Sequence, residues 1–216
     1  MRSLPKLTIY GDRVSGNCHK VEWAARLSGF DYDWRDVDIL AGETRSPEFL
    51  ALNPAGQVPT ISLSDGGALS QSNAIILHLD ALAGGRLSPE DPFERAKMLE
   101  WLFWEQYTHE KAIAVRRFQK KYLGKPDAEI DPALLSNGNS ALARIELALD
   151  NRPSAADSAG AWLVGSSFSL ADLALLAYTR LAHEGGFDLA HYPHTQSWVA
   201  RGEAIVDTPS ALEKAS

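Results

Sequence analysis

The N-terminal part of the chain alternates short apolar runs with amphipathic stretches. Residues 7–10 are β-branched and aromatic and precede Gly11, which predicts a buried strand. Apolar positions then recur with helical spacing over residues 17–28, and Gly29 supplies a stop. Residues 32–39 predict a second strand, which a helical crossover makes parallel to the first.

The next stretch predicts a short helix, a hairpin and a longer helix. A serine followed by a proline at residues 46–47 predicts a helix start. Residues 60–63 and 68–70 flank a Ser-Asp-Gly-Gly segment, which predicts two antiparallel strands. Residues 72–82 carry an apolar face and precede two glycines. The predicted order is therefore βαβαββα.

The strand pattern disappears after a segment rich in Gly and Pro at residues 84–92. We therefore expect an α/β domain over residues 1–84 and an all-helical domain over residues 92–216. The helical periodicity covers residues 93–122, 132–150, 169–183 and 195–206, with a loop over residues 151–160.

Charge and composition narrow the choice of partners. The 28 acidic and 21 basic residues give a formal charge of −7, which repels phosphate backbones. The one basic cluster, at residues 116–121, is interpreted as a solvated helix face because no recognition motif accompanies it. Nucleic acid is not an expected partner.

The single cysteine, Cys18, excludes an intramolecular disulfide and a cysteine-built metal site. The six histidines show no metal-ligand spacing, so no metal is expected. The first residues lack the apolar stretch of a signal peptide, and no apolar run is long enough to cross a bilayer. We expect a cytoplasmic protein without a membrane partner.

Four short motifs follow one another along the chain. They are Ser-Gly-Asn-Cys at residues 15–18, Asn-Pro-Ala-Gly-Gln-Val-Pro at 53–59, Gln-Ser at 71–72 and Ser-Leu-Ala-Asp at 169–172. Together they resemble the cytosolic glutathione S-transferases over nearly the whole chain, and the serine after the first strand resembles the bacterial theta-like and nu-like branches of that family. The resemblance implies a thioredoxin-like glutathione-binding domain, an all-α C-terminal domain, a homodimer and a role in detoxification.

The resemblance implies that Ser15 and Asn17 are the catalytic residues. A thiol with a pKa of about 8.5 is only about 3% ionised at neutral pH, and the thiolate is the nucleophile. Donors at Ser15 and Asn17 would stabilise the sulfur anion of glutathione. A plain N-cap is the alternative role for Ser15, and one hydroxyl can serve both roles because it both accepts and donates.

The resemblance also implies a set of binding residues for the tripeptide. Ser72 opens a helix, so it is expected to bind the γ-glutamyl carboxylate, although a simple capping role is compatible. The backbone of Val58 is expected to pair with the cysteinyl part, before a cis peptide bond to Pro59, where an ordinary trans proline is the alternative. The implied binding residues are Gln57, Val58, Pro59, Gln71, Ser72 and Arg45, with Gln57 and then Arg45 for the glycyl carboxylate.

An aromatic cluster lies in the first long helix of the C-terminal part. Packing in the core or at a subunit interface is the first interpretation, and a pocket for the hydrophobic electrophile is the second. Tyr107, His109 and Arg116 are possible linings, and Glu100 or Glu105 of a partner helix would approach the γ-glutamyl amine. The cluster comprises Trp101, Phe103, Trp104 and Tyr107.

Conjugation of glutathione to hydrophobic electrophiles is the expected activity. A glutathione-dependent disulfide or peroxide reductase and a non-catalytic regulatory protein are the alternatives. Cys18 lies one turn inside a predicted helix, which favours a buried inert thiol over a redox centre. Ser169 and Asp172 are interpreted as a structural capping box.

Overall fold

The computed structural model describes residues 4–64, 66–151 and 160–208. It divides into two units, residues 1–87 and 88–216, and the division falls within the segment predicted as a linker. The loop predicted over residues 151–160 lies outside the described residues except at its two ends.

The first unit contains a four-stranded mixed sheet in the order β2-β1-β3-β4. Strand β1 is parallel to β2 and antiparallel to β3, and β3 and β4 form the predicted hairpin. In β1 the side chains of Leu7 and Ile9 are buried while those of Thr8 and Tyr10 are partly exposed, as the alternation of a strand requires. The strands are β1 (Leu7–Gly11), β2 (Tyr32–Asp36), β3 (Thr60–Leu63) and β4 (Ala68–Ser70).

Three helices complete this unit, which confirms the predicted βαβαββα order. They are α1 (Gly16–Leu27), α2 (Pro47–Leu52) and α3 (Ser72–Leu82). Helices α1 and α3 pack against each other through apolar side chains that are fully buried. This packing brings the two helices side by side on the sheet.

The second strand is shorter than predicted, because the chain turns before residue 39. The N–H of Val37 still donates to the carbonyl of Gly11. The carboxylate of Asp38 then accepts hydrogen bonds from the N–H groups of Leu40 and Ala41, at 2.8 and 2.9 Å. A side chain that binds its own following backbone favours a turn over a strand.

The second unit is helical. The predicted helix over residues 93–122 is observed as one helical stretch that includes two π-helical segments, Glu105–His109 and Phe118–Tyr122. The helix predicted over residues 169–183 ends at Thr179, and a 3₁₀ turn follows at Ala182–Gly185. The α-helices are α4 (Pro92–Trp104), α5 (Glu110–Arg117), α6 (Pro132–Asp150), α7 (Leu170–Thr179) and α8 (Pro193–Asp207).

The core of the second unit lies where α5, α6 and α7 meet, and it includes Ile113, Leu142 and Tyr178. Gly138 of α6 lies against the ring of Phe187, where an added Cβ would come within 2.3 Å of a ring carbon.

Within the described parts of the chain, every helix is too short or too polar to span a membrane.

Candidate active site

Ser15 lies at the N-terminus of α1 and is partly exposed. Its carbonyl accepts hydrogen bonds from the N–H groups of Cys18 and His19, at 3.1 and 3.0 Å. Ser15 is the N-cap residue of α1, as the alternative interpretation expected, but its hydroxyl makes no capping hydrogen bond to the helix backbone. The hydroxyl forms a hydrogen bond with the thiol of Cys18, one turn along the helix, and this bond acts to lower the pKa of that thiol.

The thiol of Cys18 is completely buried, as predicted for an inert side chain. Gly11 leaves room for it: a Cβ there would lie 3.1 Å from the sulfur and 2.9 Å from the ring of Trp34. Burial raises the pKa of Cys18 to about 11, against the opposing effect of hydrogen bonds from Ser15 and the backbone of Asp12. Cys18 is therefore a neutral thiol at physiological pH, and sequence reasoning missed its role as the partner of Ser15.

Asn17 and Ser72 lie in contact at the N-termini of α1 and α3. The hydroxyl of Ser72 donates to Oδ1 of Asn17 at 2.9 Å, and Ser72 is only 5% exposed. Neither helix carries an acidic residue in its first turn. The positive ends of the two helix dipoles favour the binding of anions, although the carboxylate of Asp12 lies in the turn before α1, where it accepts a hydrogen bond from the N–H of Val14 at 3.0 Å.

Gln57 and Gln71 extend this contact along the surface. Nε2 of Gln71 lies 3.4 Å from Oε1 of Gln57, and both side chains are exposed. Gln71 has φ 73° and ψ 108°, and among the described residues it is the one non-glycine residue with a positive φ. Backbone conformations of this kind are costly and cluster at ligand-binding positions. No feature of the sequence predicts this strain.

A buried asparagine shapes the turn that carries Gln57 and Val58. Nδ2 of Asn53 donates to the carbonyl of Gln57 at 2.8 Å and lies 3.0 Å from Oγ1 of Thr60. The peptide bond between Val58 and Pro59 is cis. Val58 is partly exposed and Pro59 is buried, so the turn presents the backbone before β3.

Arg45 lies on the far side of the same turn. Its Nη1 is 3.4 Å from the carbonyl of Ala55. Gly56 has φ 60°, and a Cβ at that position would lie 2.5 Å from Nη1 of Arg45, so the guanidinium packs directly on the glycine. The structure thus places Asn17 with Ser72, Gln57 with Gln71, and Arg45 against the residue before Gln57.

Comparison with known proteins identifies the family. Residues 14–82 match the model for the N-terminal domain of glutathione S-transferases, and residues 116–205 match the model for the C-terminal domain. The chain is 30% identical, over 205 residues, to the disulfide-bond oxidoreductase YfcG of Escherichia coli K12, covering 92% of this chain and 91% of the relative. The chain belongs to the glutathione S-transferase family.

Other members of the glutathione S-transferase family are similar over comparable lengths. Glutathione S-transferase D7 of Drosophila melanogaster is 25% identical over 205 residues, covering 94% of this chain and 86% of the relative. The crystal structure of a glutathione S-transferase from Pseudomonas fluorescens Pf-5 superposes with a TM-score of 0.83 at 42% identity, covering 94% of this chain and 96% of that chain.

Two of the pocket linings expected for this transferase-family chain are wrong, because their side chains are buried. His109 is fully buried, with Nε2 2.9 Å from the hydroxyl of Thr179. Arg116 is 4% exposed and donates to the carbonyl of Gly185 at 2.8 Å and to Asp127 at 2.5 Å. The π-helical segment before α5 shifts the helix faces, which a uniform helical periodicity does not predict.

The acidic residues proposed for a partner site differ in exposure. Glu105 is fully buried and accepts a hydrogen bond from Gln106 at 3.0 Å, so it is wrong as a residue that reaches out of the subunit. Glu100 is exposed and pairs with Lys97 at 2.8 Å.

The aromatic cluster is divided in the same way. Trp101 is buried, as expected for core packing, whereas Phe103 and Tyr107 are 74% and 76% exposed.

Within the described residues, no group of three or more His, Cys, Asp or Glu side chains is placed to hold a metal ion.

Proposed function

We propose that this member of the glutathione S-transferase family activates the thiol of glutathione and transfers it to hydrophobic electrophiles. The hydrogen bond between Asn17 and Ser72 carries the proposal, because it joins the residue expected to face the sulfur to the residue expected to face a carboxylate. Two helix N-termini at this point favour an anionic ligand. The serine after β1 is the basis for placing the chain in a theta-like or nu-like branch.

The γ-glutamyl carboxylate would bind at Ser72, using its hydroxyl and the first N–H groups of α3. That carboxylate competes with Asn17 for the hydroxyl proton of Ser72. The backbone of Val58 would pair with the cysteinyl part of the tripeptide, with Pro59 after it. Gln71 would contact the γ-glutamyl end.

The glycyl carboxylate would bind at Gln57 and Arg45. Arg45 supplies the positive charge, and the guanidinium already packs against the turn that carries Gln57. A charge-assisted hydrogen bond of this kind is stronger than one between neutral groups.

Ser15 would stabilise the thiolate by turning its hydroxyl away from the thiol of Cys18 and donating a hydrogen bond to the sulfur of glutathione. A neutral thiol is a weak acceptor, so an anionic sulfur competes well for the same hydroxyl. A hydrogen bond to a charged group contributes roughly 1.5–3 kcal/mol, and one pKa unit corresponds to about 1.36 kcal/mol. Ser15 alone can therefore lower the pKa of the bound thiol by about one to two units.

In the reaction, the glutathione sulfur forms a bond to carbon and the leaving group departs with its electron pair. The thiol proton passes to solvent before the attack. We also propose a cytoplasmic homodimer, with Glu100 of the partner helix as the acidic residue near the γ-glutamyl amine.

The test is the pH dependence of conjugation to 1-chloro-2,4-dinitrobenzene. Ser15→Ala should lower the rate below pH 7 by roughly 10- to 100-fold and move the midpoint of the kcat profile to higher pH. Ser15→Thr keeps the hydroxyl and should retain most of the activity. An unchanged profile in Ser15→Ala would remove Ser15 from the mechanism.

Reduction of disulfides by glutathione is a second candidate, favoured by the 30% identity to a disulfide-bond oxidoreductase. A glutathione thiolate would attack the disulfide and form a mixed disulfide, releasing one thiol. A second glutathione would attack the mixed disulfide, releasing the other thiol and forming oxidised glutathione. Because Cys18 is buried and neutral, the electrons would come from glutathione alone. Reduction of 2-hydroxyethyl disulfide should persist in Cys18→Ala and fall in Ser15→Ala.

A further inference from the structure

The loop between β1 and α1 carries Ser15 and is held at several points along its backbone. The N–H of Ser15 donates to the carbonyl of Asp12 at 3.1 Å, and the N–H of Val14 donates to the carboxylate of Asp12 at 3.0 Å. Nε2 of His19, in the first turn of α1, donates to the carbonyl of Arg13 at 2.8 Å. These bonds tie the backbone of the loop to itself and to α1.

The side chain of Arg13 ties the same loop to β2, which is an edge strand of the sheet. Its guanidinium carbon lies 4.6 Å from the centre of the Trp34 ring, and its Nε donates to Oδ1 of Asp36 at 3.1 Å. Nε1 of Trp34 donates to the same carboxylate oxygen at 2.7 Å. The ring and the carboxylate together hold the planar guanidinium in both position and orientation. We name these two side chains the Trp34–Asp36 platform.

The Trp34–Asp36 platform lies beside the end of β1, directly before the loop. Asp36 is the register partner of Gly11, and the ring of Trp34 packs where Gly11 has no side chain. The side chains of Arg13 and Asp36 are 58% and 72% exposed, and an ion pair as exposed as this contributes little to stability. The contact therefore affects the position of the loop more than the free energy of unfolding.

We propose that Arg13, anchored on the Trp34–Asp36 platform, is a positioning residue for the hydroxyl of Ser15. This inference rests on the proposed function, in which that hydroxyl donates to the sulfur of glutathione. Arg13 lies two residues before Ser15, so its anchored side chain limits how far the loop can move. Because a hydrogen bond weakens steeply when it is misaligned, a loosened loop stabilises the thiolate less. The affinity for glutathione depends on other residues of the proposed site and should change little.

The experiment measures the pKa of bound glutathione from the ultraviolet absorbance of its thiolate. Arg13→Gln should raise that pKa by about half a unit to one unit, which is part of the shift ascribed to Ser15, and should change the Kd for glutathione by less than about twofold. In a Ser15→Ala background the same substitution should leave the pKa unchanged, because no hydroxyl remains to be positioned. Arg35→Gln removes an exposed charge from the same strand and is the matched control, which should behave as the parent.

Two further variants separate positioning from a direct effect of charge on the sulfur. Through its field alone, removal of a carboxylate in Asp36→Ala would lower the pKa of the bound thiol, whereas loss of the anchor should raise it. Arg13→Lys keeps the charge but loses the planar group and its Nε–H, so it should behave like Arg13→Gln. Both side chains are exposed, so the melting temperature of each variant should stay near that of the parent.

Three results would overturn the inference about Arg13: a parental pKa in Arg13→Gln, an equal shift in the Ser15→Ala background, or a lowered pKa in Asp36→Ala. Failure of the proposed function has a different sign, because Ser15→Ala itself would then leave the pKa of bound glutathione unchanged. The two failures are therefore measured on different variants.

Discussion

The hydroxyl of Ser72 donates a hydrogen bond of 2.9 Å to Oδ1 of Asn17, which lies 55 residues earlier in the chain. The bond joins the first turns of α1 and α3, which pack side by side on the sheet. A ligand that accepts the hydrogen bond of the Ser72 hydroxyl leaves Oδ1 of Asn17 without this donor. The parts of the proposed glutathione site that face the γ-glutamyl carboxylate and the sulfur are therefore coupled through one hydrogen bond.

We predict that Asn17→Ala and Ser72→Ala each weaken glutathione binding by about tenfold, because each removes a polar group at a helix N-terminus. The double variant should lose less than the product of the two, since residues that share a hydrogen bond show coupling of about 0.5–3 kcal/mol. Isothermal titration calorimetry measures all four affinities. Ser166→Ala, at an exposed position in the other unit, is the control and should bind normally. Strictly additive losses would contradict the coupling.

Local signals in the sequence predicted most of the elements. The bounds of α3 and α6 match the predicted residues 72–82 and 132–150, because apolar faces and terminal residues specify these helices within a few residues. The end of β2 was not predictable in this way, since the side chain of Asp38 determines it. The π-helical segments were not predicted either. A regular helical spacing of apolar positions does not reveal where a helix takes an extra residue in one turn.

The candidate site was predictable in its members and less so in its contacts. Asn17 and Ser72 belong to different motifs, and only the packing of α1 on α3 places them together. The rotamer of Ser15 determines that its hydroxyl contacts Cys18 and not the helix backbone, and a sequence pattern does not specify a rotamer. The burial of His109 depends on its contact with Thr179, 70 residues away.

We predict that Cys18 reacts with Ellman's reagent at pH 8 only as the protein unfolds. The side chain is completely buried, and burial raises its pKa to about 11, so the thiolate is scarce in the native state. Since the pKa is raised from 9.0, the unfolded chain ionises first. The contribution of Cys18 to stability is complete below pH 9 and is lost as the pH rises towards 11, by up to about 2–3 kcal/mol.

Urea unfolding of the parent and of Cys18→Ala, at pH 8 and at pH 10.5, measures that loss. The stability difference between the two proteins should shrink at the higher pH. Rapid labelling of the native protein at pH 8 would show that the thiol is accessible and would reopen a redox role for Cys18.

We predict that the backbone at Gln71 is strained and that this conformation positions the side chain for glutathione binding. With φ 73° the position suits glycine, so Gln71→Gly should be more stable than Gln71→Ala by about 1 kcal/mol. Both variants should bind glutathione more weakly, because both lose the amide that lies beside Gln57. Thermal unfolding and calorimetric binding measure the two effects separately. An alanine variant as stable as the glycine variant would exclude strain at this position.

We predict that Asp172 stabilises the helical unit by more than a capping box alone. Its buried carboxylate accepts hydrogen bonds from the N–H of Leu163 at 2.9 Å, from Nε1 of Trp198 at 2.9 Å, and from both the N–H and the hydroxyl of Ser169 at 3.0 and 2.7 Å. Asp172→Ala leaves these buried donors without an acceptor, and each unsatisfied donor costs roughly 1–3 kcal/mol. The free energy of unfolding should therefore fall by at least about 3 kcal/mol. Asp131→Ala removes an exposed cap on α6 and should cost about 1 kcal/mol. Urea unfolding followed by tryptophan fluorescence compares the two variants, and equal losses would mean that the bonds to Leu163 and Trp198 contribute nothing.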